Sequence, residues 1–258
     1  MLLVIYAPIL ILAVYSFTDS GNIGSIHGFS MQNYVTLFTK GELRDMIVGT
    51  VLLALVSSLL ATIFGTMGAI GAFYSKKLAK NFINTANQIP VVNADVVTGF
   101  SICVLLIVAF GMNKESYVPL LIGHVVLSAP FVYLSVVPKL KQMDASLYEA
   151  AMDLGASPSM ALRKVVIPQI MPGIVSGFAL AITLSLDDYF IASYTKPATF
   201  NTISTYVVNA TKGSQTEIKT ALWALSTVIF LIVILAVLVM NVAGRKTTSE
   251  KGGVCNEK

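Results

Sequence analysis

Six long apolar blocks, separated by short polar stretches, organise this chain: Met1 to Phe17, Ile47 to Tyr74, Val91 to Met112, Val118 to Val137, Met171 to roughly Tyr194, and Ala221 to Gly244. Each approaches or exceeds the roughly 20 mostly apolar residues that carry an α-helix across hydrocarbon. The stretch from Ile47 to Ser75 contains no charged residue, which sets aside the alternative of buried core helices in a large soluble protein. The pattern therefore predicts an all-α membrane protein of six transmembrane helices in a single domain covering residues 1–258. The connections differ in character. Thr18 to Asp45 is polar and Gly-rich, Pro138 to Ile170 is a 33-residue loop, and the tail from about 247 to 258 is low in complexity and predicted disordered. Within the second block, Gly65 with Ala69 and Gly68 with Ala72 give the small-xxx-small spacing that lets helix backbones approach closely.

Composition agrees with the pattern. Of 258 residues, 55% are hydrophobic and 12% charged, against about 25% charged in soluble domains. A modest net charge of +4 becomes informative through its distribution. If the 138–170 loop is cytoplasmic, alternation fixes every other loop. Lys76, Lys77, Lys80, Lys139, Lys141, Arg163, Lys164, Arg245, Lys246, Lys251 and Lys258 then fall inside, eleven of the 17 Lys and Arg. Lys40, Arg44, Lys114, Lys196, Lys212 and Lys219 fall outside. Retention of positive charge on the cytoplasmic side therefore predicts both termini inside.

Cys103 lies mid-span and Cys255 in the tail, so a disulfide between them is implausible and no metal-ligand spacing is present. The N-terminus lacks a basic flank and a clear small-residue cleavage site. It reads as a retained first span, with Met1 already in apolar membrane material.

The 138–170 loop holds the most informative spacing. Glu149-Ala150-Ala151 is followed by three residues, Gly155, nine residues, and Val165-Val166-Ile167-Pro168. Ser146-x-x-Glu149 fits a capping box that starts a helix near Leu147, and Gly155 stops it. Ser157-Pro158 restarts the chain as N-cap and first helical residue, and Pro168 is expected to interrupt it before the fifth span. Such a helix–Gly–helix elbow makes a compact knob. The spacing resembles the cytoplasmic E-A-A-x3-G-x9-I-x-L-P loop of ABC-importer permeases, with Val165 in place of Ile and Ile167 in place of Leu.

The resemblance implies a type I (MetI-like) permease fold whose loop is a coupling helix seated in a separate ATPase. Glu149, Ala150, Ala151, Gly155 and Pro168 would form that contact. For Glu149, completion of the capping box is the competing reading. It further implies two ATP-binding subunits that hold ATP and Mg, a second homologous permease subunit and an extracytoplasmic substrate-binding protein. No cofactor is expected in this chain itself, and no nucleic-acid partner. The chain has no G-x-x-x-x-G-K-[ST] phosphate loop, so it is expected to be a non-catalytic subunit.

Charges inside spans are expensive, about 2.5–3.5 kcal/mol by insertion scales, and mark a pathway or a pairing. Asp187 and Asp188 lie in the fifth span, with Tyr189 and Tyr194 supplying aromatic faces that attract cations. As neighbours on one helix they would point about 100° apart, one to a lumen and one to an adjacent helix. Pathway and structural pairing with a partner subunit stay equally open for them. Asp95, placed near the cytoplasmic start of the third span, suits helix N-terminal capping better than substrate contact. His124 reads as an interhelical hydrogen-bonder rather than a proton relay.

The run from Leu184 to Ser193, Pro130-Phe131, and Asp95-Val96-Val97 resemble the spermidine/putrescine ABC-importer permeases of the C type, over about Tyr6 to Val242. The Gly28-Phe29-Ser30-Met31-Gln32-Asn33-Tyr34 run also resembles the aromatic stretch after the first span of such permeases, or an interfacial anchor. Ala94 departs from the Pro that tends to precede the acidic residue there. The resemblance implies polyamine import. Another small solute of the same importer class is the first alternative. An ion-gradient-driven transporter is a second, disfavoured because neither inverted repeats nor interrupted helices are evident. An intramembrane aspartyl hydrolase is disfavoured because adjacent helical carboxylates cannot share a water.

Overall fold

A computed structural model describes residues 2–18, 28–144, 146–212, 222–228 and 230–231, and all the regular structure among them is helical. The chain divides into two compact units, one formed by residues 1–44 and 207–258 and the other by residues 45–206.

In the first unit, α1 (Leu2–Ser16) ends in a knot of side chains. Gly28 takes φ +67, a value that favours glycine, and Phe29 bridges back to Thr18. The Asn33 amide donates to the carbonyls of Ser16 at 3.0 Å and Thr18 at 2.8 Å, satisfying acceptors that a helix end leaves open. The Phe17 ring packs against Phe29 and Tyr34, at 5.5 and 5.1 Å between centroids. The Gly28–Tyr34 run thus folds onto the end of α1 and leads into α2 (Gln32–Thr39), a helix inside what the pattern gave as a polar loop.

The second unit carries most of the helices. Helix α3 (Gly41–Tyr74) begins six residues before the predicted Ile47. The third span is not continuous: α4 (Lys77–Val92) and α5 (Asp95–Cys103, with a π-helical extension Val104–Ala109) meet at a bend of 107°. Its cause is local, because Asn93 and Ala94 are both extended, with ψ 147 and ψ 135. Then follow α6 (Val118–Gln142), α7 (Ser146–Asp153), α8 (Pro158–Ala161), α9 (Ile167–Asp187), α10 (Phe190–Thr195) and α11 (Ile203–Lys212).

Pro168 does not interrupt the path from α8 to α9. A π-helical turn over Leu162–Val166 joins them into a 30-residue helical run, Pro158–Asp187. Pro168 lies inside that run, just after the π turn, which is where the helix takes up the irregularity of its missing N–H. The fifth span is broken further along, at Asp188–Tyr189, where a continuous helix was expected. Among the described residues, three helical runs are long and apolar enough to cross a membrane, or four if α4 and α5 form one broken span. Of the sixth apolar block, 221–244, only 222–228 and 230–231 are described, and they are helical. The tail at 247–258 lies outside the described residues.

Helix α6 is the centre of this unit. Lipid provides no hydrophobic drive between helices, so close contact of small residues takes its place. Along α9, Gly173, Gly177, Ala181 and Ser185 recur every four residues and are all buried. A Cβ added at Gly177 would stand 3.2 Å from the Val132 Cα of α6, and one at Gly65 of α3 only 2.7 Å from the Ala129 carbonyl oxygen. Ala69 and Ala72, read from the sequence as packing positions, are buried in the same core with Val132, Tyr133 and Val136. Gly68 has ordinary room and Gly71 faces open space. The α9 stripe is the seam that the pattern did not single out.

Gly177→Leu should therefore lower the thermal unfolding temperature of the purified protein, by an overpacking cost of about 1–3 kcal/mol. Thr183→Leu, on the exposed side of α9, should leave that temperature unchanged.

Candidate functional site

Two places concentrate the chemistry, and the first is the elbow between α6 and α9. Its opening helix is capped by Asp144 rather than by the Ser146/Glu149 box. Asp144 Oδ1 accepts from the Ser146 amide at 3.0 Å and from the Ser146 hydroxyl at 2.8 Å. Both donors of Ser146 are thereby used one step upstream of the predicted pairing. These hydrogen bonds stabilise the charged form and hold the Asp144 carboxyl below its ordinary value.

The closing turn follows the sequence reading. Gly155 takes φ +86, its amide donates to Met152 O at 2.9 Å, and the Ala156 amide donates to Ala151 O at 3.1 Å. That 5→2 and 6→1 pair is a Schellman ending. Beyond it, the Ser157 carbonyl accepts from Met160 and Ala161 as Pro158 opens α8.

Glu149, Ala150, Gly155 and Pro168 are exposed and Ala151 is half-buried. Leu154, at the tip, is 90% exposed. Tyr148 ties the elbow to the end of α3 through a ring contact with Tyr74 at 5.0 Å. The result is a capped, Gly-terminated knob with an uncovered apolar tip.

The second place is the break between α9 and α10. Stopping a helix inside a span strands backbone donors and acceptors where water cannot reach them. Asp188 and Ser204 supply the missing partners. The Asp188 carboxylate accepts from the Ile191 amide at 3.2 Å and the Ala192 amide at 2.8 Å, closing the first turn of α10. The Ser204 hydroxyl donates to Leu186 O at 2.9 Å. Ile191 is then wedged between α5 and α6. A Cβ on Gly99 would meet its Cα at 3.0 Å, and one on Gly123 its Cγ2 at 2.5 Å.

This wedge brings α5, and Asp95 with it, to the break. Helix α5 runs beside α10, with Gly99 at Ile191 and Cys103 Sγ donating to Tyr194 O at 3.3 Å. Asp95, one turn before Gly99 and the first residue of α5, stands at that helix N-terminus as the sequence suggested, and lies level with the break. It is exposed. Asp187 adjoins Asp188 in the chain and Asp95 comes level with them through the α5–α10 packing, so the three carboxylates lie in one region of the fold. Their exposure differs: Asp188 is 8% exposed, whereas Asp187 is open. The two neighbours are therefore not equivalent faces of one helix. Asp188 is committed to the backbone and Asp187 is free. Tyr189 and Tyr194 are half-buried, each edge-on to a phenylalanine, Phe190 and Phe100 respectively.

His124, fully buried in α6, is an interhelical hydrogen-bonder. Its Nδ1 meets Ser185 Oγ at 2.9 Å, and Ser185 Oγ meets Ser57 Oγ at 3.1 Å. Its Nε2 points at Asp188 Oδ2 from 3.7 Å. Ser57 and Ser185 were not singled out from the sequence. For Ser185 the signal was present, since it is the fourth member of the α9 small-residue series.

Helical runs long and apolar enough to cross a membrane, one of them followed by a break capped by a carboxylate, and a capped knob between the fourth and fifth apolar blocks mark a membrane protein. Comparison with known proteins agrees. Residues 61–248 match the family described as binding-protein-dependent transport system inner membrane component. The spermidine/putrescine transport system permease protein PotC of Haemophilus influenzae is 30% identical, over 94% of this chain and 92% of that protein. The Escherichia coli K12 protein of that name is 28% identical over 96% and 92%. The putrescine transport system permease protein PotI of Escherichia coli K12 is 31% identical over 83% and 79%.

The fold is also that of a chain in the crystal structure of a bacterial ABC transporter involved in the import of the acidic polysaccharide alginate. That likeness has a TM-score of 0.72 at 18% identity, over 91% of this chain and 88% of that one. The chain belongs to the binding-protein-dependent transport system inner membrane components, the permeases of ABC importers. Interruption of a helix, absent from the sequence reading and used there against a gradient-driven carrier, is thus a feature of this ABC permease.

Two outcomes follow. Asp188→Ala removes two hydrogen bonds to a charged acceptor, each worth about 1.5–3 kcal/mol, so amide exchange at Ile191 and Ala192 should speed at least tenfold by mass spectrometry. At the elbow, the lowered Asp144 value means its cap is fully present above the ordinary carboxylate range, about pH 4, and is lost as pH falls through the lowered value. Exchange at Ser146 and Leu147, normalised for intrinsic acid dependence, should rise over that window and be insensitive to it in Asp144→Ala.

Proposed function

We propose that this chain forms half of the translocation path of an ATP-driven polyamine importer, with six spans and both termini in the cytoplasm. The observation that carries the reading is the pair of exposed carboxylates, Asp187 at the break in the fifth apolar block and Asp95 at the start of α5, in a chain about 30% identical to spermidine/putrescine permeases. Polyamines are flexible polycations at neutral pH, because primary amines titrate near 10. A locality of several carboxylates, only one of them consumed by the backbone, suits such a cargo. Tyr189 and Tyr194 would add aromatic surface for its ammonium groups.

The elbow is the proposed coupling element. Exposed Glu149 and Ala150, with half-buried Ala151 next to them, present a small helix surface, Gly155 closes it, and Leu154 supplies an apolar anchor for the groove of a separate ATP-binding subunit. Pro168 lies in the helical run that connects the elbow to α9, so a pull on the knob would reach the break along one continuous path. Two ATP-binding subunits, with their ATP and Mg, a second permease subunit and an extracytoplasmic binding protein would complete the transporter. The Lys/Arg distribution supports this orientation.

The test is uptake of labelled spermidine and putrescine by the assembled transporter in proteoliposomes, with amino acids as competitors. Asp187→Asn should cut polyamine uptake at least tenfold while the ATP-binding subunits still co-purify. The Asp187→Asn/Asp188→Asn double variant should abolish uptake. Gly155→Val, which forces a β-branched residue to φ +86, should lose ATP-binding subunits from the purified complex. Normal uptake in the double variant would remove the carboxylates from the path, and competition by amino acids alone would reassign the cargo.

A further inference from the structure

The break between α9 and α10 is held by more than its own cap. Four buried side chains from three helices and the break form one line: Ser57 of α3, Ser185 of α9, His124 of α6, and Asp188. The first three are at most 2% exposed. Each of these groups would be costly to leave unpaired in a span, yet nothing in the cap of α10 itself requires a histidine.

The carboxylate fixes the sense of the line. Asp188 Oδ1 and Oδ2 already accept from two amides, and an acceptor-only group favours a donor on its remaining side. His124 Nε2 therefore carries its proton toward Asp188 Oδ2. Nδ1 is then the acceptor for the Ser185 hydroxyl, and Ser185 Oγ accepts from Ser57. The Ser57 hydroxyl is shared between Ser185 Oγ at 3.1 Å and the Ala54 carbonyl at 3.3 Å, and His124 Nε2 has no hydrogen-bond partner, only its 3.7 Å approach to Asp188 Oδ2. A gap of that length is an electrostatic contact, one that tightens or relaxes with small shifts of α6 against α9.

We propose that His124 is a positioning residue for transport. Together with Ser57 and Ser185 it registers α3, α6 and α9 against the break, and so sets where the free carboxylate of Asp187 stands in the path. The inference rests on the polyamine-path reading only for the identity of the cargo. The geometry itself is a property of the break. If the line matters only for packing, any isosteric polar replacement serves equally well. If it positions Asp187, the atom facing Asp188 is the one that counts.

Two amides separate these cases. In His124→Gln the side-chain amide nitrogen reaches the place of Nε2 and can still donate toward Asp188. In His124→Asn the shorter amide keeps a partner for Ser185 but stops short of Asp188. In the assembled transporter, with binding protein and the two ATP-binding subunits, uptake and ATP hydrolysis are measured together. His124→Asn is expected to lower cargo moved per ATP hydrolysed at least tenfold, with stimulated hydrolysis within twofold of native. His124→Gln is expected to stay within threefold on both. Ser57→Ala, which removes one hydroxyl at the far end of the line, should lower the same ratio by a smaller factor, about threefold.

An unchanged ratio in His124→Asn overturns the proposal. So does equal loss in Asn and Gln, or a parallel fall of uptake and hydrolysis. If His124→Asn fails to assemble, Ser57→Ala decides alone: a lowered ratio supports the line and an unchanged one rejects it. If the native complex moves no polyamine, the cargo reading has failed separately, and the same ratios are taken with the solute that it does move.

Discussion

The structure turns on one constraint: a helix cannot stop inside a membrane unless something replaces the hydrogen bonds that stopping removes. In this chain the replacement is the Asp188 carboxylate on the amides of Ile191 and Ala192. Because the carboxylate is bound there, α10 can restart after two non-helical residues, Ile191 can enter the notch between Gly99 and Gly123, and α5 is held alongside. Asp95 reaches the same level only because of that packing. A residue that would otherwise be a destabilising buried charge is thus the element that lets three helices meet.

Small residues supply the complementary half. The Gly173–Gly177–Ala181–Ser185 stripe brings α9 against α6, and Gly65 brings α3 against it from another side. Close approach does more than gain dispersion contacts. It places Ser57 and Ser185 within hydrogen-bond reach of each other and of His124, which bulkier seams would prevent. Apolar packing and the polar line are therefore parts of one arrangement.

The elbow obeys the same logic in a wetter setting. A carboxylate cap at Asp144 begins α7, a left-handed glycine ends it, and Tyr148 anchors it to Tyr74. Downstream, the π turn over Leu162–Val166 absorbs the irregularity that Pro168 imposes. The path from knob to break is continuous through 30 residues, which is the mechanical property a transmitting loop needs.

The chain by itself determined its solvent, its class and the local chemistry of its turns. A charge-free run such as Ile47–Ser75, and Gly155 with its E-A-A spacing, depend only on nearest neighbours and on the medium. Solvation and backbone sterics act locally, so they are written in order along the sequence. Only the tertiary structure decided which of two adjacent aspartates is free, where Asp95 lies, and that Ser57 has a part at all. Those facts depend on contacts between residues up to 128 positions apart, and on breaks at Asn93–Ala94 and Asp188–Tyr189 that no periodicity announces. A helical repeat continues smoothly through both sites on paper. It is the gain from packing Ile191 and from satisfying stranded amides, available only once the helices are side by side, that makes the broken form the stable one.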